Sequence, residues 1–229
     1  MKGQVTYVKG HAKSEQQAEQ AYKSLIKRGW DVAMVEGVTP ETLDDKEMDV
    51  PLLPGGRLIG FNQNEPRKYA IKKSCLTNHY RFYKKVIEAD EPMAFFEHDA
   101  IACGRPQDWD FQDLLVLNME YAFLPPTVFG TMQKFGGYKA PLALTPKRLP
   151  SDYPLQYYKE NAFKGYNCIP GTAAYAITPR GAKKMMESYT KYGLDQSDFQ
   201  INDLTVSMEY ILPSPIKFNT VNLNTSHNL

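Results

Sequence analysis

Val5-Thr6-Tyr7-Val8, then Ala18, Ala21, Tyr22, Leu25 and Ile26, then Gly29 and Val32-Ala33-Met34-Val35, make up the most informative run of this chain. The two short apolar runs at its ends read as buried strands, and the apolar residues between them recur at helical spacing. Ser14 and Gln17 form an S-x-x-Q pattern in which each side chain can satisfy an amide left unpaired at a helix start. Gly29 supplies the stop. Strand, helix and strand within one sheet imply a parallel pair joined by a crossover. The expected class is α/β, in a single domain over residues 1–229.

Outward from this unit, a helix is expected from about Tyr69 to Glu88, with Ile71, Cys75, His79, Phe82, Val86 and Ile87 on its inner side. Met93–Phe96, Asp113–Asn118, Gly171–Ile177 and Thr205–Ile211 read as further strands. Thr178 and Pro179 open a helix that Gly193 ends. Residues 37–66 and 123–170 hold most of the prolines and glycines and read as loop-rich excursions.

Composition narrows the class. The 229 residues are 42% hydrophobic and 23% charged with a net charge of +1, which excludes disordered, coiled-coil and collagen-like chains. No run approaches the roughly 18–20 apolar residues of a membrane helix, and the first residues lack a signal-peptide core. Three cysteines, Cys75, Cys103 and Cys168, include no C-x-x-C pair. That pattern argues against a disulfide framework or structural zinc and fits a reducing cytoplasm. Charge is uneven: Arg67 to Lys85 holds seven basic residues and no acidic one, whereas Glu88 to Glu120 holds nine acidic residues and only Arg105. Such blocks are solvated faces or the mark of an enzyme that handles polyanions.

The sharpest chemical feature is Glu97-His98-Asp99, directly after an apolar strand. Ligands of open α/β sheets sit beyond the carboxyl ends of the strands. Two carboxylates there can share a hard cation, which would neutralise a diphosphate; the plainer alternative is a charged surface turn. Asp195 and Asp198 read as a general base or as a helix N-cap. His227 reads as a metal ligand or an exposed terminal residue, and His79 as a core histidine. Gly171-Thr172 lacks the spacing of a phosphate-cradling loop. No G-x-S-x-G, P-loop, H-E-x-x-H or G-x-G-x-x-G pattern occurs, so hydrolase, ATPase and dinucleotide readings lose their support.

In chain order, four segments resemble glycosyltransferase family 25, best known for lipopolysaccharide synthesis, and its phage-borne relatives in particular. They are Gly29-Trp30-Asp31-Val32 with Glu36-Gly37-Val38-Thr39; Lys73-Ser74-Cys75-Leu76-Thr77-Asn78-His79-Tyr80; Phe95-Phe96-Glu97-His98-Asp99-Ala100; and Gly171–Ala182 followed by Gln196-Ser197-Asp198. His98 departs from the pattern, since it stands where the family usually has the middle aspartate of Glu-Asp-Asp. The resemblance implies a GT-A-like nucleotide-sugar-binding fold with a mostly parallel central sheet. It also implies a metal-dependent inverting glycosyltransferase that moves a hexose or pentose from a nucleoside-diphosphate sugar, such as a UDP-sugar, to an acceptor hydroxyl. Mn2+ or Mg2+ would be held by Asp99 and Glu97, with His227 as a third ligand. Glu97, Thr6, Tyr7 and Thr172 would meet the donor. Asp198, in the segment that matches the family's late aspartate, would be the base, with Asp195 as the alternate.

The acceptor is read as a hydroxymethylated pyrimidine in phage DNA, modified in the host cytoplasm. Phosphate contacts would come from Lys68, Lys72, Lys73, Arg81, Lys84 and Lys85, with Arg67 beside them. Stacking on an extruded base would come from the tyrosine-rich segment Tyr138, Tyr153, Tyr157, Tyr158 and Tyr166. The alternatives are a glycan or lipopolysaccharide sugar as acceptor, and a catalytically inactive nucleic-acid-binding or structural phage protein.

Overall fold

The computed structural model describes residues 1–121, 140–149, 165–168, 171 and 173–219. The chain opens with strand β1 (Lys2–Tyr7), helix α1 (Ala12–Lys27) and strand β2 (Asp31–Glu36), and β1 and β2 pair in parallel as expected. Helix α1 starts earlier than the S-x-x-Q pattern implies. His11 is its N-cap, its Nδ1 accepting from the Ser14 amide at 3.2 Å, while the Ser14 hydroxyl accepts from Val8 N at 2.9 Å. The capping box is therefore not formed. Gly29 ends the helix at a φ of +85°, with the following Trp30 amide returning to Leu25 O.

Residues 37–66 are not loop throughout: α2 (Arg57–Asn64) lies within them. Helix α3 (Pro66–Ala89) follows, then β3 (Met93–Glu97), β4 (Ala100–Ala102) and β5 (Leu114–Val116). Within the expected second excursion, residues 143–148 form strand β6 (Ala143–Arg148). The rest is β7 (Ala174–Ile177), α4 (Pro179–Tyr192), α5 (Ser197–Gln200), β8 (Met208–Leu212) and β9 (Ile216–Phe218). Thr178 caps α4, its hydroxyl accepting from Gly181 N at 3.1 Å, and Pro179 stands in the first turn as expected.

Seven strands form one sheet in the order β2-β1-β3-β7-β5-β8-β6. The pairings make β2, β1, β3, β5 and β8 run in one direction and leave β7 and β6 opposed, so the sheet is mostly parallel. A separate ribbon pairs β4 with β9. Side chains alternate across the sheet, as strand geometry requires. Met93, Phe95, Tyr175 and Ile177 face a core closed by α2, α3 and α4. Ala94, Phe96, Ala174 and Ala176 face a second core closed by α1 and Trp30. Both faces are covered, which explains why β3 and β7 read as continuous apolar runs rather than as alternation.

Asp113 ties the layers together ahead of β5. Its side chain is fully buried and accepts from Arg180 Nε at 2.7 Å, Lys184 Nζ at 2.6 Å and Ser207 N at 2.9 Å. Burial alone would raise its pKa; the hydrogen bonds from Lys184, Ser207 and Arg180 outweigh burial and hold it below the ordinary carboxylate value. A depressed carboxylate pKa contributes stability above the unfolded value near pH 4 and loses it as the pH falls further. Asp113→Asn should cost about 2 kcal/mol in urea melts at neutral pH, with the difference shrinking below about pH 4. A variant as stable as the parent at neutral pH would remove Asp113 as the tie between β5, α4 and β8.

Candidate active site

The parallel strands β1 and β3 end side by side, with Thr6 paired to Glu97 in register. On the other flank of β3, the Glu97 amide donates to Ala173 O at 2.8 Å. The apolar strand thus ends on a carboxylate at the carboxyl edge of the sheet. Glu97 lies two residues beyond Phe95 and so projects to the α3 side. Thr6, two residues beyond Gln4, projects to the same side; Lys85 of α3 reaches Gln4 at 3.4 Å. Tyr7 packs in the α1 core instead and contributes its carbonyl here, accepting from Gly37 N at 2.7 Å.

Gly37 is required by crowding at this edge. A Cβ on it would stand 3.0 Å from Thr6 Cγ2 and 3.1 Å from Asn78 Nδ2. Asn78, on α3, accepts from Val38 N at 2.6 Å and donates to Val38 O at 3.2 Å, which fixes the chain as it leaves β2. No local signal in the sequence marks Asn78 for this task. Its partners lie 40 residues away, and only the fold brings them together.

After β3 the chain turns through His98 and Asp99 before entering β4. The end of β9 braces that turn, since Asn219 N donates to Asp99 O at 2.7 Å and the Asn219 side chain donates to Gln17 and Gln20. Asp99 Oδ1 is buried with no hydrogen-bond partner among the described residues. Such a group is costly unless something else meets it. Burial raises the Asp99 carboxyl above its ordinary value, partly offset by His98. Burial also holds Glu97 well above the carboxylate range, and the charges of Asp99 and Asp198 push it further; Lys72 opposes them. The charges of Asp99, in the following turn, and of Asp198, in α5, therefore both bear on Glu97 at the end of β3.

Asp195 is not part of that cluster. It is buried, and its Oδ1 accepts from Leu58 N at 3.0 Å at the start of α2. A Cβ on Gly56 would meet its Cγ at 3.0 Å. The alternate base therefore sits as a cap for another helix, while Asp198, partly exposed in the first turn of α5, acts on Glu97 through its charge. Thr172 and His227 lie outside the described residues, as do Tyr138, Tyr153, Tyr157 and Tyr158. Among the described residues, no three His, Cys, Asp or Glu side chains are grouped so as to hold a metal ion by themselves.

The basic block does not form one face, and several of its members are already engaged within the chain. Lys73 is buried and paired with Asp45 at 2.7 Å. Arg81 grips Glu47 through two hydrogen bonds of 2.8 and 2.7 Å. Lys68 pairs with Glu65 at 3.3 Å, Lys84 lies over the Tyr80 ring and Lys85 reaches Gln4. Lys72 and Arg81 are nine residues apart, two and a half helical turns, and so point to opposite sides of α3. The charge of Lys72 acts on the Glu97 carboxyl and lowers its pKa. Spacing could have revealed this, because Lys72, Cys75 and His79 stand at i, i+3 and i+7 on one stripe.

The acidic edge lies at the carboxyl ends of parallel strands, where open α/β sheets bind their ligands. Residues 23–203 match the family model of glycosyltransferase family 25 (LPS biosynthesis protein), and the chain belongs to that family. It is a glycosyltransferase, one of a class that draws on nucleotide-sugar donors. The matched span includes Lys72, Glu97, Asp99, Asp195 and Asp198, and leaves Thr6, Tyr7 and His227 outside. Comparison with curated proteins finds no match. Among the described residues no helix is long and apolar enough to cross a membrane.

Beneath the acidic edge, His79 Nδ1 lies 2.7 Å from Tyr175 OH, and its ring stands 4.4 Å from that of Phe95. Burial lowers its pKa to about 3. The unfolded imidazole, near 6.5, binds a proton that the folded one refuses, so stability falls as the pH drops from about 6.5 toward 3. That slope is at most about 1.4 kcal/mol per pH unit for one proton. His79→Gln should lower stability at neutral pH and flatten the decline between about pH 6.5 and 4.5 in urea melts. An unchanged slope would assign that proton to another group.

Proposed function

We propose that this chain transfers a sugar from a nucleoside-diphosphate sugar, such as a UDP-sugar, to a glycan hydroxyl, with inversion at the anomeric carbon. The observation that carries the reading is the acidic edge at the carboxyl ends of β1 and β3, where Asp99 and Asp198 bear on Glu97 and Asp99 Oδ1 is buried without a partner among the described residues. A cation would relieve the cost that burial and the charges of Asp99 and Asp198 place on Glu97, and carboxylate oxygens suit a hard one. Glu97 and Asp99 fit a divalent ion, Mn2+ or Mg2+, whose remaining ligands would come from the donor diphosphate and water. His227, eight residues beyond Asn219, is a further candidate ligand. When bound, that ion supplies positive charge to the departing nucleoside diphosphate.

The chain's own residues account for the rest. Thr6 and Glu97 line the edge where the donor nucleotide would lie, and Thr172 is a further candidate donor contact. The acceptor oxygen attacks the anomeric carbon, the bond from that carbon to the diphosphate oxygen breaks, and the acceptor proton passes to an Asp198 carboxylate oxygen. A base in that role must come within about 3 Å of the hydroxyl. The transition state carries oxocarbenium character, which nearby carboxylates favour.

A glycan acceptor is preferred over a hydroxymethylated pyrimidine in DNA because Lys68, Lys73 and Arg81 are held in ion pairs within the chain. Cations already paired release few counterions on meeting phosphate, so little salt-dependent DNA affinity is expected.

Asp99→Asn should abolish Mn2+-dependent transfer or donor hydrolysis across a panel of nucleotide sugars, with the thermal midpoint unchanged. Wild-type turnover in that variant would remove the acidic turn from the reaction. Asp198→Asn should lower kcat by about 100-fold or more with donor affinity little altered, because a base acts on the transition state. Loss of folding with unchanged activity per folded molecule would make Asp198 a helix-start residue only. DNA binding that weakens steeply with salt would restore the DNA acceptor, and no turnover of any nucleotide sugar with metal would favour a binding module.

A further inference from the structure

We infer that Lys72 binds the diphosphate of the donor, as the point charge that faces the acidic edge from α3; this rests on the transferase reading above. Helix α3 hands over to β3 through the turn at Asp90–Pro92, so the helix and the strand run antiparallel. His79, 4.4 Å from Phe95 by ring centres and 2.7 Å from Tyr175 OH, fixes which helical residue lies over which strand residue. Lys72 is seven residues earlier, on the same stripe, and about 10 Å further toward the carboxyl edge. Three strand residues cover about 10 Å, which carries Phe95 to His98. Lys72 is therefore level with the Glu97-His98-Asp99 turn, on the side to which Glu97 projects.

Charge and commitment supply the second line. Lys68, Lys73 and Arg81 are tied into ion pairs, whereas Lys72 has no ion-pair partner within bonding distance among the described residues. It is partly buried and bears on Glu97 electrostatically while making no direct contact with it. A lysine held near a carboxylate but not bonded to it keeps its three donors available. A diphosphate presents several oxygens to such a compact charge. The negative charge that grows on the leaving diphosphate is the feature a fixed cation stabilises best. The rival account is that Lys72 only balances Glu97 within the resting protein.

The two accounts separate in a titration of inorganic pyrophosphate with Mg2+, measured by calorimetry on the full chain. Lys72→Gln and Lys72→Met should each weaken pyrophosphate about tenfold or more, and Lys72→Arg should stay within about threefold of the parent. The loss should persist in a Glu97→Gln background, where the Glu97 carboxylate is no longer there to balance. Lys72→Met keeps the apolar stem, and its thermal midpoint should match that of the parent. Equal pyrophosphate affinity in the parent and both neutral variants, no pyrophosphate binding by the parent, or a Lys72 effect that vanishes with Glu97→Gln would each overturn the assignment. Turnover of nucleotide sugars by the parent is scored separately. If turnover is present while pyrophosphate affinity ignores Lys72, the transferase reading stands and only the Lys72 role falls.

Discussion

Strand β3 carries the molecule. It is five residues long, pairs in parallel with β1 and antiparallel with β7, and sends Met93 and Phe95 into one core and Ala94 and Phe96 into the other. A strand buried on both faces cannot slip by one residue without exchanging its large and small side chains between the two cores. That rigid register is what allows its last residue, Glu97, to be a carboxylate at a crowded edge.

Helix α3 serves as the second fixed reference. On its sheet side, Phe82, Tyr83, Val86 and His79 pack over β3 and β7. On other sides, Asn78, Lys73 and Arg81 hold Val38, Asp45 and Glu47 of the segment after β2. The exposed Arg81 pair adds little stability, whereas the nearly buried Lys73 depends on its partner. The helix consequently fixes both the walls of the acidic edge and the stripe on which Lys72 lies. Asp113, Arg180, Lys184 and Ser207 perform the matching task at the opposite edge of the sheet, away from the carboxylate cluster.

Much of the architecture was legible in the residues because local signals agreed with the fold. The Gly29 stop, the Thr178-Pro179 start and the apolar runs of β1, β3 and β7 all lie where short-range physics puts them. Three expectations failed for tertiary reasons. The S-x-x-Q box lost to His11 because Ser14 was drawn to Val8 N. Helix α2 has a weak internal signal, with Gly60 inside it, and is completed by Asp195 from far along the chain. Strand β6 is recruited by pairing with β8 at the sheet edge.

The candidate site divides along the same line. Glu97 and Asp99 could be found from sequence alone, because two acids directly after an apolar run follow from the rule that ligands meet the carboxyl ends of strands. The seven basic residues from Arg67 to Lys85 could be counted, but their partners could not. Asp45 and Glu47 neutralise two of them through contacts set by the path of residues 37–65, while Glu65 meets Lys68 three residues along the chain. Asp195 and Asp198 are three residues apart and chemically alike, yet one caps α2 in the interior while the other acts on Glu97 through its charge. The sequence by itself determined the fold class and the acidic turn, since both follow from periodicity and strand ends. Only the tertiary structure decided which charges remain free to act, because pairing and burial depend on residues brought together from distant parts of the chain.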